Sequence, residues 1–396
     1  MTTATLDRTA VRGDSAPGPK GRPRLYVLDA MRLVCALAVA GYHFGDSWWA
    51  DGTHRPAYFL PHAAPVLIYG FLGVEVFFLI SGFVILMSGW GRTVRAFAAS
   101  RAARLYPALW AGVLITALVS TLLPIEGGLP LGPLPAGRDV LVNLTMLAEP
   151  LNRPLVDTVY WTLWCEFRFY LIVACMLAAG LTAKRVRLLG AGWLTAAMLM
   201  PAFPGAVLNQ VVMADFAPYF VAGMTMFLLR RDRRDWWAWL LLAVCWLVSL
   251  HHVQLRVADL RPGFDVAAWP APVLLTMAYG VLLVIALGGT DRITWRWLGT
   301  AGALTYPFYL VHQRVGYSLI RTARTATGLP VPTLIVGAVL VLLTTAWLIH
   351  RLTERPLAPY VRALLAGPRS LPGPGRVGHD TDPRDDTRRK SGLTTM

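Results

Sequence analysis

The sequence predicts an all-α, polytopic membrane protein with about ten transmembrane helices and both termini in the cytoplasm. Of the 396 residues 56% are hydrophobic and 15% charged, where a soluble domain carries about a quarter charged, so too little polar surface exists to cover a water-soluble globule. Apolar stretches of roughly 17 to 25 residues recur along the chain, the length that crosses about 30 Å of hydrocarbon as helix. The formal net charge of +15 would suit nucleic acid, but the basic residues cluster between apolar segments and in both tails, where topology signals belong, so no nucleic-acid partner is expected and the lipid bilayer is.

The expected spans are 25–45, 66–89, 105–124, 159–181, 188–203, 207–229, 236–252, 270–289, 298–320 and 332–350. With the N-terminus inside, only Arg55, Arg138, Arg153, Arg256, Arg261, Arg321 and Arg324 fall outside. Apart from Arg32, Arg168 and Arg314, which lie within spans, every other Lys and Arg falls on the cytoplasmic side. The span at 188–203 ends in a Pro201/Pro204 pair that can tilt or break it. Residues 1–24 read as a disordered cytoplasmic lead-in without a cleavable signal, 25–362 as the transmembrane domain, and 363–396 as a disordered cytoplasmic tail. The Gly- and Pro-rich outside segment 125–157 has the length of a lid or an acceptor contact, with an apolar stretch at 139–148 suited to the interface. Four cysteines, Cys35, Cys165, Cys175 and Cys245, sit in apolar segments as small core residues, and no metal-ligand spacing occurs.

Charged groups inside spans cost at least about 2.5 to 3.5 kcal/mol each, so each needs a partner or a task. The first span holds Asp29, Arg32 and His43. Arg32 and His43 are eleven residues apart and face within about 20° of one another, with Asp29 three residues before Arg32 on the same face. Ala36 and Ala40 lie between them and would leave a groove for a slender ligand. An interfacial anchor (Asp29 with Arg32) and a packing histidine (His43) are the bland alternatives. The second span carries Glu75 near its outer end and a Ser81-Gly82-Phe83 step. After it come Arg92, Arg95, Arg101 and Arg104; the last two are spaced i, i+3, which suits a phosphate-bearing ligand and equally suits a topology signal or anionic lipid. Glu166 and Arg168 point in different directions, so each should pair with another helix. Later, His312 and Arg314 follow Pro307, which is expected to kink its helix.

Taken in order, RLYVLDAMRLVCALAVAGYHF, GVEVFFLISGFVI, RAARLYP, VYWTLWCEFRFYL and YPFYLVH resemble the membrane acyltransferase-3 family, bacterial enzymes that O-acylate surface polysaccharides, peptidoglycan and some glycosylated antibiotics. The resemblance spans roughly residues 24–350. It implies Arg32 and His43 as the central catalytic pair, Ser81, Gly82 and Phe83 as part of the active-site wall, and Arg101 and Arg104 as the cytoplasmic acyl-CoA contact. Glu166 and His312 fall at the family's recurring Glu and late His positions. Glu75 stands where Asp is more usual, and the run Cys165 to Arg168 replaces a more acidic one.

The implied activity is transfer of an acetyl or other short acyl group from acyl-CoA, a co-substrate rather than a bound cofactor, to a hydroxyl of a carbohydrate-containing acceptor: a surface polysaccharide or a glycosylated metabolite such as a macrolide. Some relatives carry a fused extracytoplasmic esterase-like domain, and this chain is expected either to act alone or to use a separate extracytoplasmic partner. An alcohol attacking a thioester needs a positioned base, and neutral imidazole suits that task, so His43 is read as general base, with an acyl-imidazole route using the same residue. Arg32 would orient the donor and Asp29 would hold Arg32. Ten spans with buried charges would also suit a secondary transporter, although no repeated half appears.

Overall fold

The computed structural model describes residues 24–45, 48–125, 127, 132, 134–203, 206–260 and 266–366. The lead-in and tail expectations lie outside these residues, except Arg24 and residues 363–366, which continue the last helix. The main helices are α1 (Tyr26–Gly45), α2 (Leu72–Gly89), α3 (Val94–Leu122), α4 (Trp161–Ala179), α5 (Ala183–Leu199), α6 (Ala217–Arg231), α7 (Trp236–Asp259), α8 (Pro270–Ala286), α9 (Arg296–Thr327), α10 (Val331–Ile349) and α11 (Arg355–Ala366). Among the described residues there is no strand.

Seven helical stretches among the described residues are long and apolar enough to cross a membrane. Helices also stand at the other three expected positions: α5 and α8 have 17 residues each, and α9 is long but polar. Large apolar side chains such as Leu114, Leu118, Leu171, Leu247, Met277 and Leu340 are exposed on the helices' outer faces, as lipid contact requires. Exposed Trp236, Trp237, Trp239, Trp295 and Trp297 gather at the starts of α7 and α9, in the manner of an interfacial belt. The chain is a membrane protein.

Several boundaries differ from expectation for local reasons. α3 starts at Val94, eleven residues before the expected span, because the Thr93 hydroxyl caps the Ala96 N–H at 3.3 Å and the Ala- and Arg-rich run that follows favours helix. Arg95, Arg101 and Arg104 therefore lie within α3. α5 likewise starts early, with Thr182 capping Arg185 at 3.3 Å. The sixth expected span is split: a helix at Ala206–Val212 stops at Met213, whose φ is +49°, and α6 restarts just before Pro218. α9 runs unbroken through Pro307. Cys35, Cys165 and Cys245 are buried, but Cys175 is exposed, because its helix turns that face outward.

Two seams organise the bundle. Along the first, α9 runs parallel to α1: Arg24 bonds the Gly299 carbonyl at 2.9 Å, Gly302 abuts the Asp29 carboxyl, and Gly316 abuts the Phe44 ring. Along the second, Gly82 of α2 and Gly223 of α6 bring the two backbones into contact, flanked by Phe78 on Phe216 and Phe220 and by Phe83 on Phe227. α3 joins the first seam at Gly112, where an added methyl group would come within 2.9 Å of the Leu310 side chain.

A methyl group at Gly82 would enter the Phe220 carbonyl, whereas Gly192 has nothing within 4 Å. Gly82→Ala should destabilise the detergent-solubilised protein by at least about 1–3 kcal/mol, while Gly192→Ala should leave Tm unchanged or higher. Equal melting temperatures would contradict the close seam.

Candidate functional site

A cavity of about 120 Å³ lies between α1, α2, α3, α4 and α9. Its polar lining is Arg32, Ser81, Arg101, Arg104, Thr162, Glu166, Tyr170, Thr305, Tyr306 and Tyr309. The early start of α3 carries Arg101 and Arg104 to it, and the i, i+3 spacing turns both the same way.

Within this cavity most charges have partners. Arg32 Nη1 is 3.7 Å from Asp29 Oδ1, while Asp29 Oδ2 holds Arg24 more tightly, at 2.8 Å. Asp29 thus divides itself between two guanidinium groups instead of serving Arg32 alone. Glu166 accepts from the Ser81 hydroxyl at 3.0 Å. Arg104 pairs with the buried Glu354 and lies over the Tyr306 ring at 5.8 Å; Glu354 also takes His350 Nδ1 at 2.8 Å. Arg101 reaches Ser100 at 3.4 Å and leaves its buried Nε without an acceptor.

His43 is outside this cavity. It sits near the other end of α1, about 16 Å along the helix from Arg32, half-buried, with its ring centroid 5.4 Å from that of His312. The fully buried His312 donates from Nδ1 to the Tyr309 carbonyl at 2.8 Å, and its Nε2 has no partner. Gln313 Nε2 stands 3.2 Å from His43 Nδ1, and the Tyr317 hydroxyl donates to the His43 carbonyl at 3.3 Å. Tyr309 touches both regions: its ring lines the cavity, meets Phe77 edge-on at 5.7 Å and lies 5.3 Å from His312.

The expected groove over Ala36 and Ala40 is closed. Both residues are fully buried, because α9 lies along that face between its contacts at Asp29 and Phe44. Gly82 and Phe83 do not line the cavity either: they pack α2 on α6, and of that step only Ser81 faces inward. Glu75 belongs to a separate groove, where its buried carboxylate meets Arg256 at 3.0 Å. Arg92 and Arg95 are exposed, and Arg95 bonds the Leu365 carbonyl of α11 at 2.9 Å. Glu166 and Arg168 do pair with different elements, Arg168 reaching both oxygens of Gln210 at 2.6 and 2.7 Å.

Residues that the sequence reading passed over complete the site. Gln313 stands between His312 and Arg314, and its uncharged amide gave no signal on a charge count. Thr158 and Asp157 lie in what reads as loop. Glu354 is an acid in the basic run HRLTERP, four residues past the last expected span, and is reached only because a π-helical turn at His350–Glu354 returns it to α3.

The family pattern described as an acyltransferase domain matches residues 25–351. The chain is 28% identical over 371 residues to the acyltransferase MdmB of Streptomyces mycarofaciens, a match that covers 84% of this chain and 91% of that protein. No solved structure matches it.

Three guanidinium groups line the cavity beside Glu166, two of them paired with Asp29 and Glu354 and the third with its Nε unpartnered, a set whose anion affinity can be tested. Tripolyphosphate should raise the Tm of the solubilised protein by a few degrees, less so at high salt, and Arg101→Ala should lose at least half of that rise. An equal rise in the variant would place anion binding elsewhere.

Proposed function

The chain belongs to the acyltransferase-3 family, and from that premise we propose that it moves an acetyl or other short acyl group from acyl-CoA to a hydroxyl of a carbohydrate-containing acceptor, with His43 as general base. Membership makes it a transferase enzyme rather than the transporter that its spans alone would equally suit. The observation that carries the reading is the division of one bundle into an arginine-lined cavity and a histidine pair, joined at Tyr309.

At about 120 Å³ the resting cavity is smaller than a typical small-molecule site, so a donor would have to widen it. Arg101 and Arg104 lie at its mouth end and would take the donor's phosphates, with Arg104 exchanging Glu354 for phosphate oxygen. The acyl-bearing arm would extend along α1 past Arg32, displacing the Phe77 and Tyr309 rings to bring the thioester to His43. There the imidazole removes the acceptor hydroxyl's proton as that oxygen bonds the thioester carbonyl carbon. Collapse of the tetrahedral intermediate breaks the C–S bond, and the imidazolium returns the proton to the leaving thiolate, so ester and free CoA thiol are the products. Basic residues crowd the Arg101 end, which supports placing that end, both termini and the donor in the cytoplasm, and the half-exposed His43 toward the other face of the cytoplasmic membrane.

The test is thiol release from acetyl-CoA by purified protein, with a panel of macrolides and methyl glycosides as acceptors. His43→Ala should lose about 10²- to 10⁴-fold in kcat, the usual worth of a general base, with expression and Tm preserved. Wild-type turnover by that variant would sink the assignment. Arg101→Ala and Arg104→Ala should raise the KM for acetyl-CoA about tenfold while kcat changes less, since phosphate contacts act in ground and transition states alike. An unchanged donor KM in both would return these arginines to topology alone.

A further inference from the structure

The nitrogen of His43 that faces α9 is already engaged. Gln313, 3% exposed, places Nε2 at 3.2 Å from His43 Nδ1, and its Oε1 accepts from the Thr158 hydroxyl at 2.7 Å. Thr158 is itself held: the adjacent Asp157, fully buried, accepts from the Arg314 backbone N–H at 2.9 Å, and the Tyr160 hydroxyl donates to the Leu310 carbonyl at 3.1 Å. The turn Thr158–Tyr160 is therefore clamped on α9 at both sides of Gln313, and the amide stands between two fixed partners.

The orientation of that amide decides the chemistry of His43. When Gln313 donates to Nδ1, the neutral ring carries its proton on Nε2, which is then a donor and cannot accept the acceptor's proton. When the amide is turned by 180°, Oε1 accepts from Nδ1–H, Nε2 becomes a free base, and the Gln313 amino group donates to the Thr158 oxygen. A hydroxyl both donates and accepts, so Thr158 satisfies either setting.

We infer that Gln313, anchored by Thr158, is the positioning residue that selects the tautomer of His43 and so decides whether its Nε2 can act as base. The inference rests on the reading of His43 as the base. The other groups that face His43 do not substitute for the amide. His312 spends Nδ1 on the Tyr309 carbonyl and its Nε2 makes no hydrogen bond to His43, the Tyr317 hydroxyl serves the His43 carbonyl, and Asp157 is taken by the N–H groups of Arg314 and Val159. Tyr42 packs its ring on His43 at 5.1 Å, Tyr69 gives its hydroxyl to Ala267, and Arg32 and Asp29 lie about three and four turns away on α1.

Two readouts test it: solid-state ¹⁵N NMR of histidine-labelled protein, in which Nδ1–H and Nε2–H rings are resolved, and the pH profile of thiol release from acetyl-CoA with the acceptor panel above. Gln313→Met keeps the volume and removes the hydrogen bond. It should mix the two tautomers of His43 and lower kcat about 10- to 100-fold, as loss of a supporting partner does, with the KM for acetyl-CoA within about twofold. Gln313→Glu can only accept from Nδ1–H. It should hold the base tautomer, retain turnover and move the acidic limb of the kcat/KM profile up by about one pH unit or more. Thr158→Val should resemble Gln313→Met, and Thr158→Ser should resemble wild type.

An unchanged tautomer in Gln313→Met, or an acidic limb left in place by a folded Gln313→Glu, would overturn the inference. If His43→Ala turns over normally, the base reading fails instead, and the ¹⁵N spectra of Gln313→Met still report whether the amide selects the tautomer.

Discussion

The approach of α9 to α1 is the contact on which the rest depends. Polar side chains in hydrocarbon survive only when a neighbouring helix or a cavity receives them, and small residues are what let helices come close enough to do so. Here the small residues alternate between partners: Gly302 makes room for Asp29, Gly316 for Phe44, and Ala36 and Ala40 for the body of α9. The result puts His312 and Gln313 of one helix on His43 of the other. A seam wider by one methyl group would separate these pairs and strand the buried His312 and Gln313 among apolar neighbours.

The same seam divides the molecule chemically. At one end are Arg32, Arg101 and Arg104, with Glu166 among them. Each has a resting partner except for Arg101 Nε, so under the proposed function a phosphate would meet Arg101 directly and would have to displace Glu354 from Arg104. Glu354 holds the place that a phosphate would take on Arg104. Its own second contact, His350, keeps the carboxylate satisfied if Arg104 turns away. At the other end the polar contacts of the histidines are with α9 backbone and amide groups rather than with carboxylates, the arrangement that keeps an imidazole neutral and adjustable.

Helix existence was legible in the sequence because hydrocarbon imposes a length and a composition, and each expected position carries a helix. What periodicity could not show was where helices extend beyond the apolar run. α3 begins at Val94 because a threonine cap and good helix formers are independent of hydropathy, and this is what lifts Arg101 and Arg104 into the cavity. Charge counting found Arg32, His43, Glu166 and His312, and all four lie at the two regions described. It misjudged Glu75, since a buried carboxylate is equally well served by Arg256 in another groove. It passed over Gln313 and Thr158 because neutral polar groups carry no insertion penalty large enough to mark them. Ala36 and Ala40 were read as an open groove, whereas α9 fills that face, for a helix and a ligand both fit beside alanine.

The barrier between the two regions follows from that closure. Phe77 and Tyr309 meet edge to face in the cavity lining, and Tyr309 also supplies the carbonyl that fixes His312. Under the proposed mechanism a donor must part these rings before its thioester reaches His43, so donor seating and exposure of the base become one event. A thioester held short of the base would be shielded from it, and a base without donor would face packed aromatic rings instead of a cavity open to water. Sequestering a reactive carbonyl until the nucleophile's base is reachable is what closing lids accomplish in soluble enzymes. In this bundle two aromatic side chains on neighbouring helices stand in the position to do it, and the neutral anchor of His312 on Tyr309 ties the histidine pair to the same residue.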